Sequence, residues 1–347
     1  MMTESYFTYT AFALICLVLL TLPFVAAFQE WRHPTDFAAL PVSPNYTSDI
    51  DHFAKRLHAD ASAKLGLGMP TGYEEFDFVT DPLEDMVWSK ASKRLISRLS
   101  IQTTAPIRSA RPLYVEGGIR AGADSAFTSL YATGDIDLGA ESELHEWAHA
   151  DGVLRLGKNS VALRRISAGK AIELGNEGWF ERLHAPKVQF GSSSATSTLP
   201  TLPKQIPASF ADLPDVVKQT PVLFLIRGDC ALPAGKIYRG SLIVTGFLTV
   251  GTGTIVVGDI KSRAGVSIGS GASVQGAITC EKRVYVFNRA RVFGPVVSES
   301  DILIGSHAVI GLPDGLTTVS ARNIIVEDGV VVHGTIWALE IGMVKPV

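Results

Sequence analysis

The stretch VSIGSGASVQGAITC, residues 266–280, sets apolar side chains in pairs one residue apart, pauses, and repeats the arrangement. Its pairs are Val266 with Ile268, Ala272 with Val274 and Ile278 with Cys280. The rhythm continues through Val284 and Val286, Ala290 and Val292, Val296 and Ser298, Ile302 and Ile304, and Ala308 and Ile310, each pair starting six residues after the last. A spacing of two within a pair is the period of a strand burying one face. The chemical flavour of the pair recurs every third pair, so the period is 3 × 6 = 18 residues. That is the signature of a parallel β-helix, whose coils of three short strands bury their apolar faces only by stacking.

Marker positions carry the period along the chain. Pro233, Gly251, Gly269, Phe287 and Gly305 lie 18 apart, and an earlier series, Gly122, Gly139, Gly157, Gly175 and Gly191, follows pairs such as Ile136 with Leu138, Leu154 with Leu156 and Ile172 with Leu174. These glycines are expected at corners, where positive φ is easiest without a Cβ. The expected fold is all-β, with one block of coils over 112–191 and a second over 222–347, about 12 turns in all. Residues 192–221, with Pro200, Pro203, Pro207 and Pro214 among Ser and Thr, read as a linker or excursion, compatible with coaxial stacking or with two separate solenoids.

The formal net charge of −3 and 19% charged residues exclude the basic profile of a nucleic-acid binder. Three cysteines without a CxxC argue against a disulfide framework or zinc knuckle, and Cys230 and Cys280 fall nearly three turns apart, too far to bridge. Ahead of the solenoid, after a nine-residue tail (1–9), the uncharged run TAFALICLVLLTLPFVAAF over 10–28 reads as a transmembrane helix. The tail has no Lys or Arg, which disfavours a cleaved signal peptide. Arg32, Lys55 and Arg56 follow the run, placing the solenoid on the cytoplasmic side of a bacterial inner membrane.

The juxtamembrane region 29–111 reads as helical. Ile50, Phe53, Leu57, Ala61 and Leu65 behind a possible Ser48 cap predict an amphipathic helix. A second helix is expected from Pro82 towards Leu99, with Met86, Trp88, Leu95, Ile96 and Leu99 as its apolar surface. The pair is expected to cover the open edge of the first coil, or the first helix to lie on the membrane with Lys55 and Arg56 towards headgroups.

Two motifs resemble chemistry. HEWAH, His145 to His149, matches H-E-x-x-H, with Asn176 and Glu177 downstream, and would make a membrane metalloprotease of His145, Glu146 and His149. It falls inside an 18-residue turn, where the two His flank a corner; four residues of strand span ~13 Å, against the shared ~2 Å Zn–N bonds a helix would allow. In IGSHAVIG, residues 304–311, His307 is the candidate general base of a β-helix O-acyltransferase. GTGTIVVG, residues 251–258, lacks phosphate-loop spacing. Lys282, Arg283, Tyr285, Phe287, Arg289 and Arg291 form a basic and aromatic patch able to take an acidic partner or glycan.

The run LTVGTGTIVVGDIKSRAGVSIGSGASVQGAI, with its I-x-I-G-x-x-A-x-V-x-G-x-I turns, resembles the bactofilins, the polymer-forming bacterial cytoskeletal family. The likeness covers 222–345 well and 112–191 more loosely. It implies a right-handed β-helix without nucleotide that polymerises end to end and serves as a membrane-associated scaffold for envelope enzymes. The membrane span, the helical region and the second block depart from that pattern. The function expected is therefore a non-catalytic, single-pass membrane scaffold for envelope or exopolysaccharide assembly, without cofactor or metal, whose partners are itself, lipid and envelope proteins. After Leu339 and Ile341 only GMVKPV remains, too little for a capping helix, so the last coil, with Ile336, Trp337, Leu339, Ile341 and Met343, is the expected self-association edge.

Overall fold

The computed structural model describes residues 2–22, 24–25, 28, 32, 50–66, 76–79, 88, 91–191 and 203–346. Met1–Ser48 and Asp49–Val347 form two compact units. The first holds helix α1, Met2–Thr21. The helix ends two residues before Pro23, which cannot donate to the ladder and disfavours helical geometry at the residue before it. From Phe12 to Leu20 its large apolar side chains stand exposed, Leu20 by 70%. Of the expected span over 10–28, residues 10–21 fall on this helix and positions 23, 26 and 27 lie outside the described residues; among the described residues no helix is long and apolar enough to cross a membrane.

The second unit is a parallel β-solenoid of about 14 turns with about 18 residues per turn. Every inward pair expected from Val266 to Ile310 is buried, with Ser298 at 5% the most exposed of them. Along one face Leu95, Leu113, Leu130, Ala148, Ile166 and Leu183 stack on successive coils. Phe224, Leu242, Ile260, Ile278, Val296, Val319 and Ile336 do the same in the second block. Inward serines are accommodated by the ladder itself: Ser142 Oγ donates to Gly139 O at 2.8 Å and Ser125 Oγ to Gly122 O at 2.7 Å.

Both block boundaries need correction. Phe76–Val79 pairs in parallel with Arg94–Ser97, which pairs with Leu113–Val115, so the first block begins near residue 76 rather than 112. Leu95 and Ile96, assigned from sequence to a second helix, sit on a strand: Leu95 fills the core and Ile96 lies under a helix, a two-sided burial that period-3.6 reading mistakes for amphipathicity. Positions 82–87 of that expected helix lie outside the described residues. The second block also starts early, because Ile206–Ala208 pairs with Lys236–Tyr238 and Val216–Thr220 runs antiparallel to Leu223–Ile226. Phe210, between them, is fully buried against Phe224 and Tyr238 and closes the end of that block.

Apart from Gly191, whose φ is +69°, the expected corner glycines serve close approach rather than positive φ. A Cβ on Gly157 would lie 2.5 Å from the Ala140 nitrogen, and one on Gly251 2.5 Å from that of Ala234. The left-handed residue comes two positions later: Asp124, Glu141, Asn159 and Glu177 in the first block, and Gly235, Gly253, Gly271, Arg289 and His307 in the second. Each donates its N–H to the next coil, as Asn159 does to Asn176 O at 2.8 Å and Arg289 to Ser306 O at 2.9 Å. These bonds offset the cost of about 1–2 kcal/mol that a Cβ carries there.

The blocks stack coaxially, tail to tail. The last coil of the first, Trp179–Phe190, pairs antiparallel with the last coil of the second, Val331–Lys345, over all three faces: Trp179 opposite Met343, Leu183 opposite Ile336, Gln189 opposite Val331. Phe180 and Phe190 meet inside the seam at 5.3 Å. The expected bare C-terminal edge is therefore corrected: it is sealed within the chain, and Ile336 is fully buried.

Helix α2, His52–Lys64, lies on the flank of the first block, not over its open edge. Ala54, Leu57 and Ala61 pack on Phe76, Ile96, Tyr114 and Tyr131, with Trp147 beside them. Its apolar face is thus occupied by protein. Lys55 pairs with Asp51 at 3.0 Å, the residue that precedes the helix; the expected Ser48 cap lies outside the described residues.

Candidate functional site

Two flanks of the solenoid concentrate polar chemistry. Under α2, outward positions at the coil period build a ladder of rings: Tyr114 stacks on Tyr131 at 5.3 Å and Tyr131 on His149 at 5.3 Å, while His58 of α2 stacks on Tyr131 at 5.0 Å. His149 Nδ1 meets Ser167 Oγ at 2.8 Å and its Nε2 meets Asp151 Oδ1 at 3.1 Å. Tyr131 donates its hydroxyl to the same Asp151 oxygen at 2.8 Å. Burial lowers the His149 pKa, against the opposing charges of Asp151 and Asp51, and it raises that of Tyr131 with help from the Asp151 bond. Serine, histidine and aspartate are in contact here, but Ser167 is 2% exposed, so its hydroxyl has no room for an incoming carbonyl carbon. The network fixes the imidazole and the helix above it.

This places the HEWAH residues. Glu143–Ala150 is one strand with a register shift at the corner, so His145 and His149 serve different surroundings. His145 points to solvent beside Glu143, 3.3 Å away; Glu146 accepts from Ser129 Oγ at 3.3 Å; both ring nitrogens of His149 are engaged. Among the described residues no group of three or more His, Cys, Asp and Glu is placed to hold a metal. His307 sits at a left-handed corner, its N–H on Asp328 O at 3.2 Å and its ring against Gly329, a position set by the corner fold.

The second flank belongs to the later coils. Tyr285, Leu303, Ile325 and Met343 occupy one outward column, and Trp179 of the first block continues it across the seam. Tyr285, Phe287, Leu303, Ile325, Glu327 and Lys345 line an open groove of about 180 Å³. Arg283 holds Asp301 through Nε at 3.0 Å and Nη2 at 2.7 Å and reaches the Tyr285 hydroxyl at 3.1 Å. Asp301 also accepts from Asn323 at 2.9 Å, and these bonds, Asn323 first, keep its pKa below the ordinary carboxylate value. The expected basic patch is thereby divided. Arg283, Tyr285 and Phe287 stand together, Lys282 and Arg289 fall at corners on either side, and Arg291 lies on the next strand.

Of the expected self-association residues, Ile336 is sealed in the seam, while Trp337, Leu339 and Ile341 project sideways, exposed by 39%, 60% and 45%. Met343, half-buried, lies opposite Trp179.

No family model, curated protein or solved structure matches this chain.

The residues missed from sequence are Tyr131, Asp151, Ser167 and Trp179. Tyr114, Tyr131, His149 and Ser167 are spaced by 17, 18 and 18, each one residue after an inward side chain, and that outward register was the available signal.

Proposed function

We propose that the chain is a non-catalytic, membrane-anchored scaffold of bactofilin-like kind, serving envelope or exopolysaccharide assembly from the cytoplasmic side of a bacterial inner membrane. The observation that carries this reading is the seam: two blocks of coils share one unbroken ladder, so the polar and apolar columns of the flanks run on from block to block. Such a body offers long docking surfaces to partners rather than a chemical pocket. The exposed apolar side chains of α1 supply the attachment to lipid. Self-association belongs to the flank of the seam, where Leu339 and Ile341 stand out, because the edge itself is occupied.

The test is sedimentation of the full chain in non-ionic detergent, alongside alkaline carbonate extraction of membranes. The protein should stay in the carbonate pellet and sediment as an oligomer that Ile341→Arg reduces to a monomer with unchanged circular dichroism. A carbonate-soluble protein that is monomeric well above cellular concentrations would defeat the proposal.

A further inference from the structure

The groove on the second flank has a chemistry that the scaffold reading does not use. Tyr285 and Phe287 leave the chain two residues apart, and their rings lie 21° from parallel with centres 6.5 Å apart, so together they make one platform. Phe287 is 46% exposed. Gly305 opens the floor beside them, since a Cβ there would collide with the Asn288 amide oxygen. Glu327 and Lys345, opposite one another on adjacent strands, line the same groove.

The polar groups left free in the groove are of both signs. Glu327 gives Oε2 to the Ser306 N–H and Oγ, at 2.9 and 2.8 Å, and keeps Oε1. Among the described residues the Lys345 ammonium and the Asn288 side-chain amide have no hydrogen-bond or ionic partner. Arg283 is neutralised by Asp301 and donates to the Tyr285 oxygen, which leaves the phenol its own proton to give. An anion in this groove would face the Glu327 carboxylate, and a cation would face the Lys345 ammonium. A neutral hydroxyl suits both, because it donates and accepts. The aromatic faces, electron-rich, take the weakly positive C–H groups of a saturated ring.

We propose that this groove binds a pyranose unit of a neutral, linear polysaccharide, and that the polysaccharide runs along the flank towards Trp179. Leu303, Ile325 and Met343 carry the apolar column from Tyr285 to Trp179, which is 43% exposed. Four rungs of ~4.8 Å set the two aromatic ends ~19 Å apart, a reach for several sugars in a row. Binding of this kind requires neither self-association nor the anchor.

The full chain, in a polyoxyethylene detergent that carries no sugar, is titrated calorimetrically with tetramers of β-1,4-linked glucose, mannose and galactose and with the three monosaccharides. One or more of the tetramers should bind, about tenfold or more tightly than its monosaccharide. Phe287→Ala should weaken that tetramer about tenfold. Trp179→Ala should bring it to the affinity of the monosaccharide. A galacturonic acid tetramer, with a carboxylate on each unit, should bind more weakly than the neutral ones. Arg155→Gln, an arginine ion-paired to Asp135 and Glu173 on another face, should leave binding unchanged. Binding to none of the neutral tetramers, binding indifferent to Phe287, or free phenylalanine, an apolar zwitterion, competing as well as the sugars would overturn the assignment. Oligomeric state and carbonate extraction are separate readouts, so the scaffold reading can fail without this one and this one without it.

Discussion

Replacing Phe190 by alanine isolates the seam from the coils on either side. Phe190 is fully buried, packs on Phe180 at 5.3 Å, and donates its N–H to Val330 O at 3.0 Å, a bond the substitution keeps. Only side-chain packing is lost, with a cavity between the two last coils, so the cost should be about 3–5 kcal/mol. In a solenoid that cost is borne by the coils in contact with the change. At ~1.4 kcal/mol per factor of ten, opening of the seam should become roughly two to four orders of magnitude more frequent. Amide hydrogen exchange of the full chain, read by mass spectrometry, should show deprotection over 179–190 and 331–345. Peptides over 242–280, several coils away, should keep the wild-type rate. Unchanged protection of 331–345, or equal loss along the whole ladder, would show that the two blocks are not energetically joined there.

The His149 network makes stability depend on pH. Its native pKa is lowered by burial, so between the unfolded value near 6.5 and the lower native one the unfolded chain binds more protons, and stability falls as pH drops through that window. Thermal unfolding should show this slope, and His149→Gln should flatten it. At the corners, Arg289→Gly removes a left-handed Cβ and should raise stability by about 0.5 kcal/mol after the glycine's added unfolded-state entropy, measured by denaturant unfolding. Gly157→Ala places a Cβ 2.5 Å from the Ala140 nitrogen and should cost about 1–3 kcal/mol in the same assay.

Much of the coil architecture was legible because each inward residue obeys one rule: Val266 to Ile310 alternate at a strict period and all are buried. The rule loses force where a strand is covered on both sides. Phe76, Ile96, Tyr114 and Tyr131 are outward residues buried by α2, so the first coils lack the clean alternation that marks the later ones. The seam was illegible for a different reason. Antiparallel pairing between residues 179 and 343 obeys no local period, and an edge sealed by another part of the chain has the same composition as a free one. The corner chemistry lies two residues beyond most of the marker glycines, since glycine marks both close approach, as at Gly157 and Gly251, and positive φ, as at Gly253 and Gly271. The Tyr131, His149 and Ser167 ladder carries the coil period in its spacing, but nothing in that spacing tells which outward columns a helix will cover.

The tail-to-tail seam is tested most directly by one cross-link. Trp179 and Met343 are opposite one another in the antiparallel pair, within the Cα separation a disulfide tolerates. With Cys16, Cys230 and Cys280 replaced by alanine, the full chain carrying Trp179→Cys and Met343→Cys is oxidised at high dilution and digested without reduction. The seam predicts an intrachain disulfide joining the peptides that contain positions 179 and 343. Thiols that stay free, or link only between chains, would contradict it.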